Sequence, residues 1–447
     1  MKKPYHTQAN EPAFQDEFIK LYPELLNKNR DNTNGSGMYL VRNITFVTTE
    51  ACNLNCSYCY ECHKTPKSMT KEVAKNAIDA LFDKEKMNGY IPEDNKCAII
   101  EFIGGEPFLN VEVMHFICEY FLYKATELNH PWAKYHMFSV TTNGTLLNKP
   151  EVNRWIKKYK KRLSLGITID GDKELHDSCR VFHDGRGSYD IVEKSVKMAI
   201  KEYGMRSTKI TFAPENIDKI NTAIPHLFNL GLKALYANCV YENVWKPEHQ
   251  PIFFKELVKL ADYIIDNKIY EDSFCSIFDE TIGHPLDPED NNNWCGGDGN
   301  MLAISTDGGF YPCIRYMKYA LGYKQEPMLI GNVKTGIENK NKNKYLIQLQ
   351  GITRSSQSTE ECFNCPVASG CSWCTANNYA EFGTPNKRAT YICPMHKARV
   401  AANAYYWNKL YRTLELDDRF KLHLSKDECL KFMSEEQYNE IKELEVL

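Results

Sequence analysis

Apolar and polar positions fall into a regular order from residue 42 onward. Short blocks rich in β-branched and aromatic residues predict strands at Asn43–Glu50, Lys96–Gly104, His136–Thr142, Leu163–Asp170, Ser207–Ala213 and Ala234–Tyr241. Between them, apolar residues recur at helical spacing. This predicts helices at Thr70–Lys86, Val111–Leu128, Lys149–Lys161, Tyr189–Tyr203, Asp218–Leu230 and Ile252–Ile269. Six strand–helix units in series imply parallel strands joined by right-handed crossovers. Six units are too few for a closed eight-stranded barrel, so the pattern leaves two solutions open, a partial barrel and a doubly wound sheet. The order breaks at Pro285–Asn293, and turn-rich segments bearing cysteines follow. The run Asn339–Lys344 reads as a solvated loop. From about Lys397 the chain turns helical again, with a Tyr and Trp stripe that reads as a packing face.

The 447 residues are ample for a sizeable core. Net charge is −3, which argues against a strongly basic nucleic-acid binder. No apolar run is long enough for a membrane span. The first residues lack an export signal, so a cytoplasmic protein with no membrane attachment is expected. Residues 1–41 are polar and end in a flexible Asn-Gly-Ser-Gly approach to the first strand. Cysteine changes the picture. There are 17, an odd number, in a chain expected to stay reduced. Clustered cysteines in that setting read as metal ligands or catalytic groups rather than disulfides.

Directly after the first strand stands Cys52-Asn-Leu-Asn-Cys56-Ser-Tyr58-Cys59. Three cysteines at this spacing are expected by chance only about 0.02 times in such a chain. Three protein ligands leave a coordination position open, where a metal centre does chemistry. The plain alternative is a zinc site completed by Cys62 or His63. Gly104-Gly105-Glu106-Pro107 ends the second strand. Its glycines let backbone approach a ligand, Glu106 suits an ammonium partner, and Pro107 fixes the turn. Thr142-Asn143-Gly144 ends the third strand. Thr168-Ile-Asp170-Gly171 ends the fourth and is followed by His176, Asp177 and Arg180. Each of these also has an ordinary reading, as a turn former or a surface ion pair.

Together these residues resemble the radical S-adenosylmethionine (SAM) enzymes. The resemblance implies a partial (β/α)6 TIM-like barrel, which selects between the two solutions above. It implies that Cys52, Cys56 and Cys59 hold a [4Fe–4S] cluster whose fourth iron takes SAM. It further implies that Tyr58 contacts the adenine side, that Glu106 within the Gly104, Gly105, Pro107 turn pairs with the SAM ammonium, and that Asn143, Thr168 and Arg180 meet the ribose and carboxylate.

Seven more cysteines lie downstream: Cys295, Cys313, Cys362, Cys365, Cys371, Cys374 and Cys393. Cys295-x12-Gly308-x4-Cys313 and Cys362-x2-Cys365-x5-Cys371-x2-Cys374 are similar to the SPASM extension, though the second motif is one residue short before Cys374. By that resemblance Cys362, Cys365, Cys371 and Cys393 hold one auxiliary [4Fe–4S] cluster. Cys295, Cys313 and Cys374 hold another, with a possible open iron. Three clusters and SAM are thus expected. The expected organisation is an N-terminal extension (1–41), the barrel (42–285), the SPASM domain (286–400) and a helical segment (401–447). Cys62, Cys97, Cys118, Cys179, Cys239, Cys275 and Cys429 read mostly as small core residues, with Cys275 a weak candidate for a missing ligand.

The resemblance extends to maturases of ribosomally made peptides, including those acting on Cys-x-x-x repeats. It implies an oxidoreductase that forms sactionine- or ranthipeptide-type thioethers in a Cys-containing precursor peptide. The implied electron donor is a one-electron reductant such as ferredoxin or flavodoxin. A substrate thiol bound at an open iron would be deprotonated by the metal. Anaerobic sulfatase maturases share the layout and make formylglycine, commonly with an acid after their Tyr-Pro-Cys motif. Here Tyr311-Pro312-Cys313 is followed by Ile314 and Arg315. A non-catalytic zinc or iron–sulfur binding protein is the alternative from another class.

Overall fold

The computed structural model describes residues 41–93, 95–293, 295–339 and 341–446. The 1–41 extension therefore lies almost entirely outside the described residues, and so does its Asn-Gly-Ser-Gly stretch. The structure is an α/β barrel wall of parallel strands: β1 (Val41–Thr49), β2 (Cys97–Gly104), β3 (His136–Thr142) and β4 (Leu163–Ile167), then β5 (Ser207–Phe212), β6 (Ala234–Cys239) and the short β7 (Phe274–Cys275). Neighbours in each group pair parallel and in register, for example Phe46 with Phe102 and Thr211 with Asn238. Between β4 and β5 the backbone ladder is interrupted. The Thr208 hydroxyl bridges the gap, donating to the Ile167 carbonyl at 2.7 Å and accepting from the Ile169 amide at 3.3 Å.

Helices cover the outside: α1 (Lys71–Leu81), α2 (Val111–Glu127), α3 (Pro150–Tyr159), α4 (Lys173–Cys179), α5 (Tyr189–Tyr203), α6 (Ile220–Asn229) and α7 (His249–Asp266). Their apolar stripes bury Ile78, Ile117, Phe121, Trp155, Val196, Leu227 and Leu257 against the strands. Boundaries differ from expectation where side chains cap. The predicted helix over 70–86 breaks because Asp83 accepts from Glu85 N (2.9 Å) and Lys86 N (3.1 Å) and starts a separate turn. The fourth strand stops at Ile167, freeing Asp170 to turn inward. The short α4 is an addition to the predicted set.

The turn-rich segments build onto the same wall. β8 (Met301–Ile304) pairs parallel with β1, and β9 (Gly309–Tyr311), β10 (Gly331–Asn332) and β11 (Gly336–Ile337) continue antiparallel. The main sheet therefore runs β11-β10-β9-β8-β1-β2-β3-β4. Asn343, expected in a solvated loop, is instead a buried helix cap that accepts from Tyr345 N and Leu346 N, both at 3.1 Å. α8 (Thr375–Phe382), α9 (Cys393–Thr413) and α10 (Glu435–Glu445) complete the chain. α9 begins four residues earlier than expected, with Pro394 in its first turn, and runs through residue 400. It buries Tyr405, Tyr406 and Tyr411, so its aromatic stripe is a packing face. No helix of the described residues is long and apolar enough to cross a membrane.

Candidate active site

The strand ends at the C-terminal side of the barrel meet the cysteine-rich segments around a cavity of about 660 Å³. Cys52, Cys56 and Cys59 wall it on one side, and Cys295, Cys371 and Cys374 on the other. The first loop is seated by backbone bonds to the segment after α4. Asn55 N donates to Val181 O (2.8 Å) and Ser57 N to Cys179 O (3.0 Å). Three donors point at its sulfurs: Leu54 N at 3.4 Å and Asn143 Nδ2 at 3.8 Å toward Cys52, and Lys64 Nζ at 3.3 Å toward Cys59. Burial pushes the Cys52 thiol up to about 12, and raises Cys56 and Cys59 too. These thiols stay protonated until a metal takes them as thiolates.

Among the described residues no three Cys, His, Asp or Glu side chains sit close enough to share a single ion. A multi-iron cluster takes each thiolate on a different iron and needs wider spacing. The donor set, its hydrogen bonds and one further feature fit such a cluster with a polar ligand beside it. That feature is Arg180 Nε, buried and without a hydrogen-bond partner. Cys62 and His63 line an adjoining cavity of about 280 Å³, which shares Tyr58, Cys59 and Arg315 with the first.

The Gly104-Gly105 turn lines the cavity, but its close approach is to the cysteine loop. A Cβ on Gly104 would stand 2.1 Å from Thr49 O, and one on Gly105 2.1 Å from Ala51 O. Glu106 and Pro107 are fully buried beneath the cavity rather than in its wall. Glu106 accepts from Thr142 Oγ1 (2.7 Å), Asn143 N (2.8 Å) and Phe108 N (3.1 Å), and so ties the ends of β2 and β3 together. Asn143 and Thr168 line the cavity. Arg180 does too. At 8% exposure it is no surface ion pair. It donates to the Tyr58 hydroxyl at 2.8 Å and lies over that ring.

In sequence Asp170 belongs to the Thr168-Ile-Asp170-Gly171 stretch of the resemblance, with a turn former as its ordinary reading and no role of its own. In the structure it is fully buried, accepts from the Tyr58 hydroxyl and from Thr211 N (3.3 Å), and balances Arg180. Nothing local in sequence links positions 58, 170 and 180; only strand register brings them together. Lys64, Lys209, Glu242 and Arg315 are further wall residues absent from the expected set. Arg315 bridges the two sides. It pairs with Glu242 at 2.7 Å, lies over the Tyr60 and Tyr241 rings, and reaches within 3.8 Å of Cys374 Sγ.

Cys313 and Cys371 each have cysteine neighbours. The Cys313 thiol is raised by burial and then by its neighbours Cys374 and Cys295. Burial, opposed by Arg388, brings Cys371 up to about 12, with Cys393, Cys362 and Cys365 as its cysteine neighbours. Asp298 also lies near Cys295, with its carboxyl raised by burial to about 6. Cys97, Cys118, Cys179, Cys239, Cys275 and Cys429 are buried core residues, while Cys62 is exposed.

Residues 46–224 match the Radical SAM superfamily. Subtilosin biosynthesis protein AlbA of Bacillus subtilis is 25% identical over 307 residues, covering 65% of this chain and 59% of AlbA. A cysteine-type anaerobic sulfatase-maturating enzyme of Clostridium perfringens is 24% identical over 338 residues, covering 71% of this chain and 84% of that protein. The solved structure of native anSMEcpe with bound AdoMet and Cp18Cys peptide shares the fold, with a TM-score of 0.60 at 20% identity over 84% of this chain and 99% of that one.

Proposed function

This chain is a radical SAM enzyme, and we propose that it forms thioether cross-links in a ribosomally made, Cys-containing precursor peptide. The observation that carries the reading is the cavity lined by Cys52, Cys56 and Cys59 together with Cys295 and Cys374, both neighbours of the buried Cys313. Cys52, Cys56 and Cys59 hold the first cluster in this reading. Cys362, Cys365, Cys371 and Cys393 hold one auxiliary cluster, and Cys295, Cys313 and Cys374 the other. The clusters and SAM supply a 5′-deoxyadenosyl radical on reduction and take up an electron afterwards. The chain's own residues seat and enclose the reactants. Tyr58, Gly104, Gly105, Asn143, Thr168 and Arg180 form the SAM side of the wall, and Glu106 and Pro107 brace it from beneath. Each cross-link breaks one C–H and one S–H bond and makes one C–S bond. A hydrogen atom goes to the radical, and a proton and an electron leave.

The name of AlbA, a bacteriocin biosynthesis protein, supports a peptide substrate. The residue directly after Cys313, where an acid would favour formylglycine formation, is the apolar Ile314, and the cation Arg315 follows it. The second reading, formylglycine formation, is favoured by the sulfatase-maturase relatives and by Glu242, a carboxylate in the cavity wall. The domain division 42–285, 286–400 and 401–447, a cytoplasmic setting and a ferredoxin- or flavodoxin-class donor belong to the same proposal.

The test is anaerobic reconstitution with iron and sulfide, reduction with SAM, and mass spectrometry of a co-produced Cys-rich peptide. Loss of two hydrogens per link, with loss of an alkylatable thiol, is expected. Formylglycine on a sulfatase peptide instead would overturn cross-linking. Zinc without acid-labile sulfide would overturn the cluster assignment.

A further inference from the structure

Four cations wall the cavity: Lys64, Arg180, Lys209 and Arg315. Three already hold a side-chain partner, although Arg180 keeps its Nε unpaired among the described residues. Lys64 donates to Cys59, Arg180 to Tyr58 opposite Asp170, and Arg315 is paired with Glu242. Lys209 makes no side-chain hydrogen bond and no ion pair among the described residues. It retains exposed surface while lying deep in the protein, as a side chain reaching into an enclosed space does. The charged groups it faces are Arg315, Glu101 and Asp170. Glu101 is occupied by the Thr45 hydroxyl at 2.7 Å, and Asp170 by Tyr58.

The strand pattern gives this cation company. Lys209 and Thr211 stand two apart on β5 and share its inner face, while Ile210 and Phe212 are buried on the other. Thr211 lies opposite Asn238 in the β5–β6 register. The Thr211 hydroxyl and the Asn238 amide oxygen have no partner among the described residues, and Asn238 Nδ2 donates to Cys239 O at 3.2 Å. All three side chains line the cavity, on the β5–β6 wall.

We propose that Lys209, Thr211 and Asn238 form a carboxylate-binding subsite. The inference rests on the cavity being the reaction site. Of the two reactants placed there, SAM carries a carboxylate, and a peptide carries one at its C-terminus or on acidic residues. Burial and the like charge of Arg315 both disfavour the Lys209 ammonium; an incoming anion offsets both.

The test is a pulse of lysine-acylating reagent on the full-length, cluster-loaded enzyme, with modification of residue 209 read by mass spectrometry. Arms contain no ligand, SAM, decarboxylated SAM, or SAM with a Cys-containing peptide bearing one Glu or, in its place, one Gln. Protection by SAM but not by its decarboxylated analogue supports the subsite and assigns SAM as the source. Protection that appears only with the Glu peptide supports it and assigns the peptide. Equal labelling in every arm overturns the proposal. As a second readout, K209M should raise the SAM dissociation constant or the peptide KM about tenfold or more, with K209R restoring most of it. Unchanged constants in K209M overturn the subsite. Loss of thioether product with protection intact would sink the cross-linking reading alone.

Discussion

Replacing Glu106 tests whether this carboxylate braces the site or reaches the ligand. It is fully buried and accepts three hydrogen bonds, two of them from backbone amides. Glu106→Ala leaves those donors unpaired in a site with no room for bulk water. At about 1–3 kcal/mol for each unsatisfied donor, the loss is about 3–6 kcal/mol, with some relief from removing a buried acid. For a chain of this size that lowers the melting temperature by about 3–6 °C. Glu106→Gln is milder. Its oxygen can keep the Thr142 and Phe108 bonds at the Oε1 position, while its amide nitrogen meets the Asn143 N–H as donor against donor. The expected loss is about 1–3 kcal/mol. SAM affinity should fall in step with stability, because Asn143 lies in the cavity wall and its backbone is held by Glu106. Scanning calorimetry and equilibrium SAM binding on the same preparations check both. If either variant binds SAM poorly while melting like the parent, Glu106 touches the ligand and the bracing argument fails.

Gly105→Ala should cost the cluster rather than the fold, because the new Cβ would stand 2.1 Å from Ala51 O and push the cysteine loop off its seat; iron content and the visible spectrum report it, and full cluster loading would contradict the reasoning. Cys374→Ser should remove about four irons per chain yet leave reductive SAM cleavage in place, with the cross-link lost; a variant that still makes the thioether would separate this cysteine from the chemistry. His396 is buried, donates from Nε2 to Val367 O at 2.7 Å, and is held down to about 4 by burial. Its folded value lies below the ordinary 6.5, so the unfolded chain binds the extra proton: stability is full above about 6.5 and falls as pH drops toward 4, by on the order of 3 kcal/mol in total. Buried His176, also held low, adds to the same slope. Urea midpoints measured at pH 7.5 and 5 check this, and a His396→Gln variant with the parent's slope would refute it.

The barrel was legible because its strands and helices announce themselves by period, and the cysteines because their spacing is rare. The division of the downstream cysteines into a three and a four comes from the family resemblance; the structure puts Cys374 and Cys295 beside Cys313, and Cys393, Cys362 and Cys365 beside Cys371. What stayed hidden is whatever depends on register between distant strands. Asp170 reads as half of an Asp-Gly turn; only the early end of β4 aims it at Tyr58. Lys209 sits in an ordinary strand pattern, and its lack of a side-chain partner among the described residues emerges only when the elements around the cavity are assembled. Glu106 stands out in sequence beside its glycine pair, but the sequence does not show that Thr142, Asn143 and Phe108 donate to it or that it lies outside the cavity lining.

The turn-rich C-terminal half owes its position to the first strand. β8 pairs parallel with β1 through Asn43–Phe46 against Met301–Ile304, close in sequence to both cysteine segments: Cys295 stands six residues before Met301, and Cys52 three after the end of β1. Buried Arg42 strengthens that seam by donating to the carbonyls of Gly299 and Tyr90, and the Tyr90 hydroxyl donates to Met301 O. Parallel pairing sends both strands the same way, so the segment that follows β1 and the hairpin that follows β8 emerge at one end of the sheet. In the proposed function a radical source and an electron acceptor need a fixed separation, since reach and orientation govern hydrogen abstraction and bond closure alike. A flexible tether between two folded units would leave that separation to chance. A shared sheet makes it a property of backbone hydrogen bonding, and Arg315, spanning from Cys374 to Tyr60 beside Cys59, closes the same distance from the opposite wall.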